Sequence, residues 1–336
     1  MMTPKADQTA RDALFGKLGH NVLTILFFLV AIIYPWLVGL NPYYLEIGFN
    51  FWLWSLLALS LNVVLGGPGL YNLGQAAFFA VGAYTTALMN TLLGWPIFLL
   101  LPVSMLTAAI FGYIIARPII HLRGDYLLIV TVGFAEIVRL ALRNNMFGIT
   151  GGANGILGIA RPQLGPWTFT SNLDFYFLSL LYVLLAMWVW RQLEHSRVGR
   201  AWAYIREDEL AAESVGVNTA AYKTLAFVVG ASLAGAAGNL YATKMTVIAP
   251  ESFSFWDSVV MFAIVILGGR GSIPGIFLGT FAMVVLPQLF RGLESYRMLV
   301  FGAAMVAMMI IRPQGLWPKD MRFRWRRPLT EGGEGR

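Results

Sequence analysis

The most constraining feature of this chain is a long interval without any ionisable side chain. Between Glu46 and Arg117 there is no Asp, Glu, Lys, Arg or His. The interval has roughly 70 residues, enough for about three membrane crossings of about 20 residues each. Over all 336 residues, 58% are hydrophobic and only 12% are charged, whereas soluble domains average about 25% charged. The sequence therefore predicts an all-α protein that crosses a membrane several times.

Apolar runs and Gly- and Pro-rich breaks divide residues 21–312 into about ten predicted transmembrane helices. These are 21–40, 47–65, 73–93, 97–116, 126–143, 174–191, 223–242, 256–267, 275–290 and 297–311. The last three are short, so a re-entrant pair could lower the count to about eight. The N-terminal arm, 1–20, is too long and polar for a signal peptide, and 313–336 forms a basic tail.

Lys and Arg residues are concentrated in one set of connections between the predicted spans. That set contains the N-terminal arm, Arg117 with Arg123, the charged segment after the sixth span, Arg270 and the tail. Because short cytoplasmic connections carry an excess of Lys and Arg, both termini are predicted to be cytoplasmic. The same placement explains the net charge of +7 without nucleic-acid binding.

The most highly charged stretch lies between two predicted spans, within residues 194–222. Its centre, RVGRAWAYIREDELAAESVG, predicts a helix of about four turns over 199–215. Gly216 suits the C-cap of that helix, and Asn218 with Thr219 suits the start of another. A charged helix kept between two spans indicates a docking surface for a partner in water. The alternative is a solvated loop helix without a partner.

A second candidate stretch is NVVLGGPGLYNLGQ, which cannot be a continuous regular helix because of its glycines and proline. Irregular backbone at membrane depth is tolerated where protein buries it or water lines it. Either this stretch lines a pathway, or it is a turn with packing glycines. The candidate pathway residues are Asn62, Gly66, Gly67, Gly69, Asn72 and Gln75. Residues 65–69 (LGGPG) are similar to residues 267–271 (LGGRG). The similarity reflects either an internal repeat or chance.

Two further stretches contain candidate pathway residues. Glu136 and Arg139 share one face of the predicted fifth span, where ionisable residues usually face water or the bundle interior. They form either part of a pathway or a structural ion pair near the outer interface. The loop residues Gly151, Gly152 and Asn154 expose backbone N–H groups that suit an anion, although most such loops are turns.

Motifs for chemistry are absent from the sequence. There is no cysteine, the three histidines are far apart, and no phosphate-binding loop or nucleophile elbow occurs. The sequence therefore predicts no metal site, no cofactor and no enzymatic activity in this chain. An energy source such as ATP must then act through another protein.

Five motifs occur together in chain order: LNVVLGGPGLYNLGQAAFFAVGAY, HLRGDYLLIVTVGFAEIVRL, TGGANGI, RVGRAWAYIREDELAAESVGVNTAAYKTLAF, and VILGGRGSIPG through IRPQGLW. With them the chain resembles, over about 50–317, the M-type permease of bacterial ATP-binding-cassette importers for branched-chain amino acids. The resemblance implies a multi-pass protein of the bacterial inner membrane. Its implied partners are a second paralogous permease, two cytoplasmic ATPase subunits that hold ATP and Mg, and a periplasmic or lipid-tethered binding protein.

The resemblance also implies that the charged segment is the coupling helix, which seats in a cleft of the ATPase. Many importers have E-A-A-x-x-x-G there; this chain keeps the small residues and the glycine, but the acid is displaced to Glu209. The candidate coupling residues are Arg200, Arg206, Glu207, Asp208, Glu209, Ala211, Ala212 and Gly216. Bulky or opposite-charge replacements of Gly216 or Arg206 are expected to uncouple ATP hydrolysis from uptake.

Several rival functions remain open at the level of sequence. Related permeases import urea, short-chain amides, aromatic acids or sugars, and the binding protein sets much of that selectivity. A rival of another class is an ion-driven secondary transporter or channel that works alone, which would not need the charged segment. A membrane enzyme is a third reading, disfavoured by the missing catalytic motifs.

Overall fold

The computed structural model describes residues 26–122, 124–165, 167–289, 302, 306 and 315–317. Within these residues the fold is helical, apart from four strands of two residues each. The N-terminal arm, Arg123, nearly all of the tenth predicted span and most of the basic tail lie outside the described residues.

The helices follow the predicted spans closely. They are α1 (Leu26–Leu37), α2 (Pro42–Gly66), α3 (Gln75–Leu93), α4 (Ile97–Ile119), α5 (Asp125–Arg143), α6 (Asn172–His195), α7 (Arg197–Glu207), α8 (Glu209–Ser214), α9 (Thr219–Met245), α10 (Phe255–Gly268), α11 (Ile273–Thr280) and α12 (Leu286–Leu289). A π-helical turn, Phe281–Val285, joins α11 to α12. The strands are β1 (Ile156–Leu157), β2 (Gln163–Leu164), β3 (Trp167–Thr168) and β4 (Val247–Ile248).

Six stretches of the described residues are long and apolar enough to cross a membrane. They are α2, α3, α4, α6, α9 and Pro250–Gly268, which contains α10. Two shorter apolar helices are Leu26–Leu37 and Ile273–Gln288. The predicted fifth span forms α5, but it is not one of these six stretches because it contains too many charged residues. The protein is therefore a multi-pass helical membrane protein, as predicted from composition.

Helix α9 lies at the centre of the bundle and packs on α2, α3 and α4. Its glycines allow very close approach: a Cβ placed on Gly235 would lie 2.5 Å from the carbonyl oxygen of Ser104. A Cβ on Gly238 would lie 2.4 Å from the backbone nitrogen of Ala83. Small residues at helix contacts let backbones pack tightly where lipid provides no hydrophobic drive. The α9 glycines therefore allow close helix packing at the centre of the bundle.

A buried polar chain reinforces the same helices. The Tyr182 hydroxyl of α6 donates to Asn239 Oδ1 of α9 at 3.0 Å. The Asn239 amide in turn donates to Thr86 Oγ1 of α3 at 3.1 Å. Asn239 is 1% exposed, so water cannot reach its amide. These bonds supply the hydrogen-bond partners that the buried amide would otherwise lack. The chain fixes the register of three helices against one another.

The two ends of the bundle differ in structure. At one end, called here the α7 end, α7 lies beside the C-terminal end of α2, which also contacts the turn between α10 and α11. Helix α8 follows α7 there and contacts α9. At the other, called the sheet end, β1 pairs with β4 and the starts of α2 and α6 meet. This division agrees with the predicted alternation of connections, because Arg270 lies at the α7 end whereas Arg143 and Lys244 lie at the sheet end.

Lys244 joins three helices at the sheet end. Its ammonium lies 3.0 Å from Glu46 of α2 and donates to Asn172 Oδ1 of α6 at 2.5 Å. It also lies over the rings of Phe49 and Phe175, at 5.5 and 5.2 Å from their centroids. The cation is therefore neutralised and enclosed by ring faces, which attract positive charge.

The single helix predicted over 199–215 is wrong: the chain breaks at Asp208. That residue has extended backbone angles, φ −154° and ψ 113°, and its carboxylate accepts from Leu210 N and Ala211 N at 2.9 and 3.1 Å. The break follows from aspartate's preference for N-cap positions, where its side chain satisfies unpaired N–H groups. The segment is therefore two helices, α7 and α8, separated by the extended Asp208.

The predicted C-terminal end of this segment and the predicted start of the next helix are confirmed. Gly216 has φ +86° and donates to the Glu213 carbonyl, while Val217 N donates to Ala212 O at 3.0 Å. This pair of bonds is the Schellman motif, which favours glycine at the left-handed position. Asn218 then caps α9 by accepting from Ala221 N at 3.0 Å.

Candidate functional site

The irregular stretch after α2 runs from residue 67 to 74 and is held by a buried polar network. Asn72 donates to Gln75 Oε1 at 2.9 Å. The Gln75 amide donates to Ser60 Oγ at 2.9 Å and to the Gly230 carbonyl at 3.1 Å. Asn72 and Gln75 are both 0% exposed. The stretch is thus tolerated because neighbouring protein satisfies its polar groups.

The predicted pathway residues of this stretch therefore face protein. Asn62 is also 0% exposed. Gly66 and Gly67 are buried, and Gly69 is partly buried with φ +80°. Their enclosure fits the alternative of a packed turn, while a role in the pathway of another conformation stays a prediction.

The two glycine-rich breaks of the sequence meet at the α7 end. We call Gly66–Gly69 the first glycine turn and Gly268–Gly271 the second glycine turn. Asn62 Oδ1 accepts from Gly271 N at 2.9 Å, across 209 positions of sequence. A Cβ on Gly66 would lie 2.6 Å from the same nitrogen. The contact is backbone against backbone, so neither turn can shift far without the other.

The chain near residue 316 completes the second glycine turn. Leu316 N donates to the Leu267 carbonyl at 2.7 Å, and Trp317 N donates to the Gly268 carbonyl at 3.0 Å. These are carbonyls at the end of α10 that lack partners within the helix. Leu316 and Trp317 thus cap α10, a role that the sequence does not reveal.

Helix α7 is anchored on the first glycine turn. Arg206 donates to the Gly66 carbonyl at 3.0 Å. Trp202 is 1% exposed, lies against Gly67 and donates to the Tyr222 carbonyl at 2.8 Å. Two of the residues that contact the first turn therefore lie one helical turn apart on α7.

The displaced acid of the coupling segment has a partner within the chain. Glu209 forms an ion pair with Lys223, in the second turn of α9. The Lys223 side chain is 2% exposed and that of Glu209 is 19% exposed. This pair ties α8 to α9. It could not be recognised from sequence because Lys223 lies in a different helix, 14 positions further along the chain.

The outer face of α7 and α8 combines charges with apolar side chains. Tyr204, Leu210 and Val215 are 57%, 63% and 74% exposed. The predicted coupling residues Arg200, Arg206, Glu207, Asp208, Ala211 and Gly216 are also exposed, whereas Ala212 is buried. Exposed apolar groups among charges are typical of protein contact surfaces.

Glu136 and Arg139 form an ion pair on the surface of α5. Arg139 Nε donates to the two carboxylate oxygens of Glu136 at 3.2 and 3.0 Å. The side chains are 41% and 21% exposed, for Glu136 and Arg139 respectively. Ile129 and Ile137 of the same helix are 64% and 65% exposed. Charges on the open face of such a helix require water or another protein beside them.

The glycine loop at the sheet end is folded as a turn. Gly151 and Gly152 have φ +73° and +60°, which glycine adopts without strain. Gly151 N donates to Asn145 Oδ1 at 3.1 Å, so this N–H is not free for an anion. Gly152 is buried and Asn154 is exposed. Anion binding by the rest of the loop stays a prediction.

Comparison with known proteins agrees with this architecture. The family model described as branched-chain amino acid transport system / permease component matches residues 43–309. This chain belongs to that family. It is 40% identical over 322 residues to the high-affinity branched-chain amino acid transport system permease protein LivM of Escherichia coli (strain K12), covering 89% of this chain and 75% of that protein.

This chain also matches two more distant relatives over about nine tenths of their length. The LivH permease protein of the same kind of system in Salmonella typhimurium is 26% identical over 78% of this chain and 90% of its own. The probable LivM permease of Methanocaldococcus jannaschii is 24% identical over 80% of this chain and 91% of its own. No solved structure matches the chain.

Proposed function

We propose that the protein is the M-type permease of a bacterial ATP-binding-cassette importer that carries Leu, Ile and Val across the inner membrane. The observation that supports this most is the 40% identity to LivM over 89% of the chain. The fold also supports the proposal, because it is a helical bundle with a charged, exposed two-helix segment at one end. The similarity to LivH as well as LivM supports pairing with a second, paralogous permease.

The outer face of α7 and α8 is the surface for a separate ATPase subunit. Leu210 and Val215 supply apolar contact area, and Arg200 and Glu207 supply charges beside it. Such a patch at the polar end of a membrane protein is costly unless a partner covers it. ATP and Mg are then held by two such subunits, and a periplasmic or lipid-tethered binding protein delivers the amino acid to the sheet end.

The pathway runs between the two permeases, along the open face of α5. Glu136 and Arg139 lie on that face, and their mutual neutralisation lowers the cost of placing charge at membrane depth. About ten spans with cytoplasmic termini place the α7 end in the cytoplasm, in accord with its Arg-rich connections.

Reconstitution tests the proposal. The chain is co-expressed with its neighbouring transport genes, purified from native membranes, and its bound proteins are identified. We expect two ATPase subunits and a second permease, and in proteoliposomes ATP-dependent uptake of labelled Leu, Ile and Val. Copies of this chain that drive uptake from an ion gradient without any ATPase would contradict the proposal.

The same proteoliposomes decide the cargo. Labelled urea, a short-chain amide and an aromatic acid are compared with Leu, using the cognate binding protein in each assay. Preferential uptake of one of these compounds over Leu would leave the proposed importer architecture unchanged but would contradict the proposed substrate.

A further inference from the structure

The side chain of Arg206 makes its contacts within this chain. Its guanidinium donates to the carbonyl oxygen of Gly66, which is the last residue of α2. That carbonyl belongs to the helix end that carries negative partial charge, where a cation is favourable. The Arg206 stem lies against Gly69, because a Cβ on Gly69 would be 2.9 Å from Arg206 Cγ. The side chain is thus directed to the first glycine turn.

A second residue of α7 holds the same turn. Trp202 lies one helical turn before Arg206, and its ring carbon would be 3.0 Å from a Cβ on Gly67. Trp202 also stacks on Trp190 of α6, with ring centroids 6.5 Å apart and planes at 15°. The stacked indole leaves α7 little freedom to slide over the turn.

The first turn continues directly into the second. The backbone of Gly66 touches that of Gly271, and Asn62 accepts from the Gly271 nitrogen. At these contacts, backbone and buried side chains meet with no room for another methyl group. A displacement of α7 therefore reaches the α10–α11 turn through contacts that are not easily compressed.

We propose that Arg206 is a positioning residue that fastens α7 to the first glycine turn, so that α7 and both glycine turns move as one body. This inference rests on the proposed function, because it names the route by which motion of an ATPase reaches the membrane helices. Arg206 acts inside the chain, while Leu210, Val215 and their neighbours meet the ATPase.

The first experiment separates fastening from docking. Arg206→Ala, Arg206→Lys and the control Arg191→Ala are reconstituted with ATPase subunits and binding protein. Arg191 is an exposed arginine near the end of α6. ATPase capture, ATP hydrolysis and amino-acid uptake are measured for each.

For Arg206→Ala we expect unchanged ATPase capture, retained hydrolysis and at least tenfold slower uptake. Arg206→Lys keeps one donor for the Gly66 carbonyl and restores part of the uptake, and Arg191→Ala behaves like the parent. If Arg206→Ala loses ATPase capture in step with uptake, the residue docks the partner and the inference is overturned. Normal uptake by this variant overturns it too. Failure of the parent to capture an ATPase would instead refute the proposed function.

A disulfide provides the second experiment. The chain has no cysteine, and a Cβ on Gly69 would lie 3.6 Å from Arg206 Cβ, within the range of about 3.5–4.5 Å for disulfides. In Gly69→Cys/Arg206→Cys, oxidation replaces the lost hydrogen bond by a covalent link. We expect faster uptake after oxidation than after reduction. Slower uptake after oxidation would mean that α7 and the turn move against each other, which overturns the inference.

Discussion

At the scale of single residues, the ion pair between Glu209 and Lys223 makes the clearest prediction. Lys223 is 2% exposed, so loss of its partner leaves a charge with little access to water. Removing one member of a buried pair typically costs about 3–5 kcal/mol. Because Glu209 is 19% exposed, we expect Glu209→Gln to lower the unfolding free energy by about 3 kcal/mol, at the low end of that range.

Thermal unfolding of the purified permease in detergent measures this effect. The control is Glu207→Gln, which changes an exposed acid two positions earlier. The double variant Glu209→Gln/Lys223→Met removes both charges and should recover most of the lost stability. Equal stability of Glu209→Gln and Glu207→Gln would show that the pair has no structural importance.

At the scale of elements, the β1–β4 pairing depends on Gly155. A Cβ there would lie 1.9 Å from the Ile248 carbonyl oxygen, which belongs to β4. Gly158 has a similar positive φ, +77°, but open space beside it. We therefore expect Gly155→Ala to separate the two strands, whereas Gly158→Ala brings only the strain of about 1–2 kcal/mol that a side chain has in this conformation.

Limited proteolysis of the sheet end compares the two variants. Faster cleavage within 144–171 is expected for Gly155→Ala than for Gly158→Ala. Both positions have positive φ, but Gly155 also has ψ −159°, which essentially only glycine adopts. The difference therefore reports the clash together with this additional backbone strain. Indistinguishable cleavage would mean that the loop is held by other contacts, such as the Ile159 N to Thr246 O bond.

At the scale of the whole molecule, the two ends of the bundle should face opposite compartments. Leu157 at the sheet end and Val215 in the segment after α8 are 66% and 74% exposed, and the natural chain has no cysteine to interfere. Single variants Leu157→Cys and Val215→Cys are expressed in cells without the ATPase subunits. A membrane-impermeant maleimide should label Leu157→Cys in right-side-out vesicles and Val215→Cys only in inverted ones.

The cysteine-free parent serves as the control for that labelling. Reaction of both variants from one side would contradict the proposed orientation. Labelling of Val215→Cys in right-side-out vesicles would also remove α7 and α8 from the compartment in which an ATPase works.

The sequence by itself determined the features that depend on neighbouring residues. The positions of the membrane helices follow from hydropathy over about 20 residues, because the bilayer sets that length. The cap at Gly216 and the new helix at Asn218 were predicted because capping uses side chains and backbone within one turn. The charged segment was recognised as an exposed element because it interrupts apolar sequence.

Only the tertiary structure decided the contacts between distant parts of the chain. It enclosed Asn72 and Gln75, which sequence alone left open as pathway or turn, because whether a polar amide meets water or protein depends on helices far away. It paired Glu209 with Lys223 and brought the second glycine turn to Asn62 across 209 positions. Such contacts arise from close packing of whole helices, which no local pattern encodes.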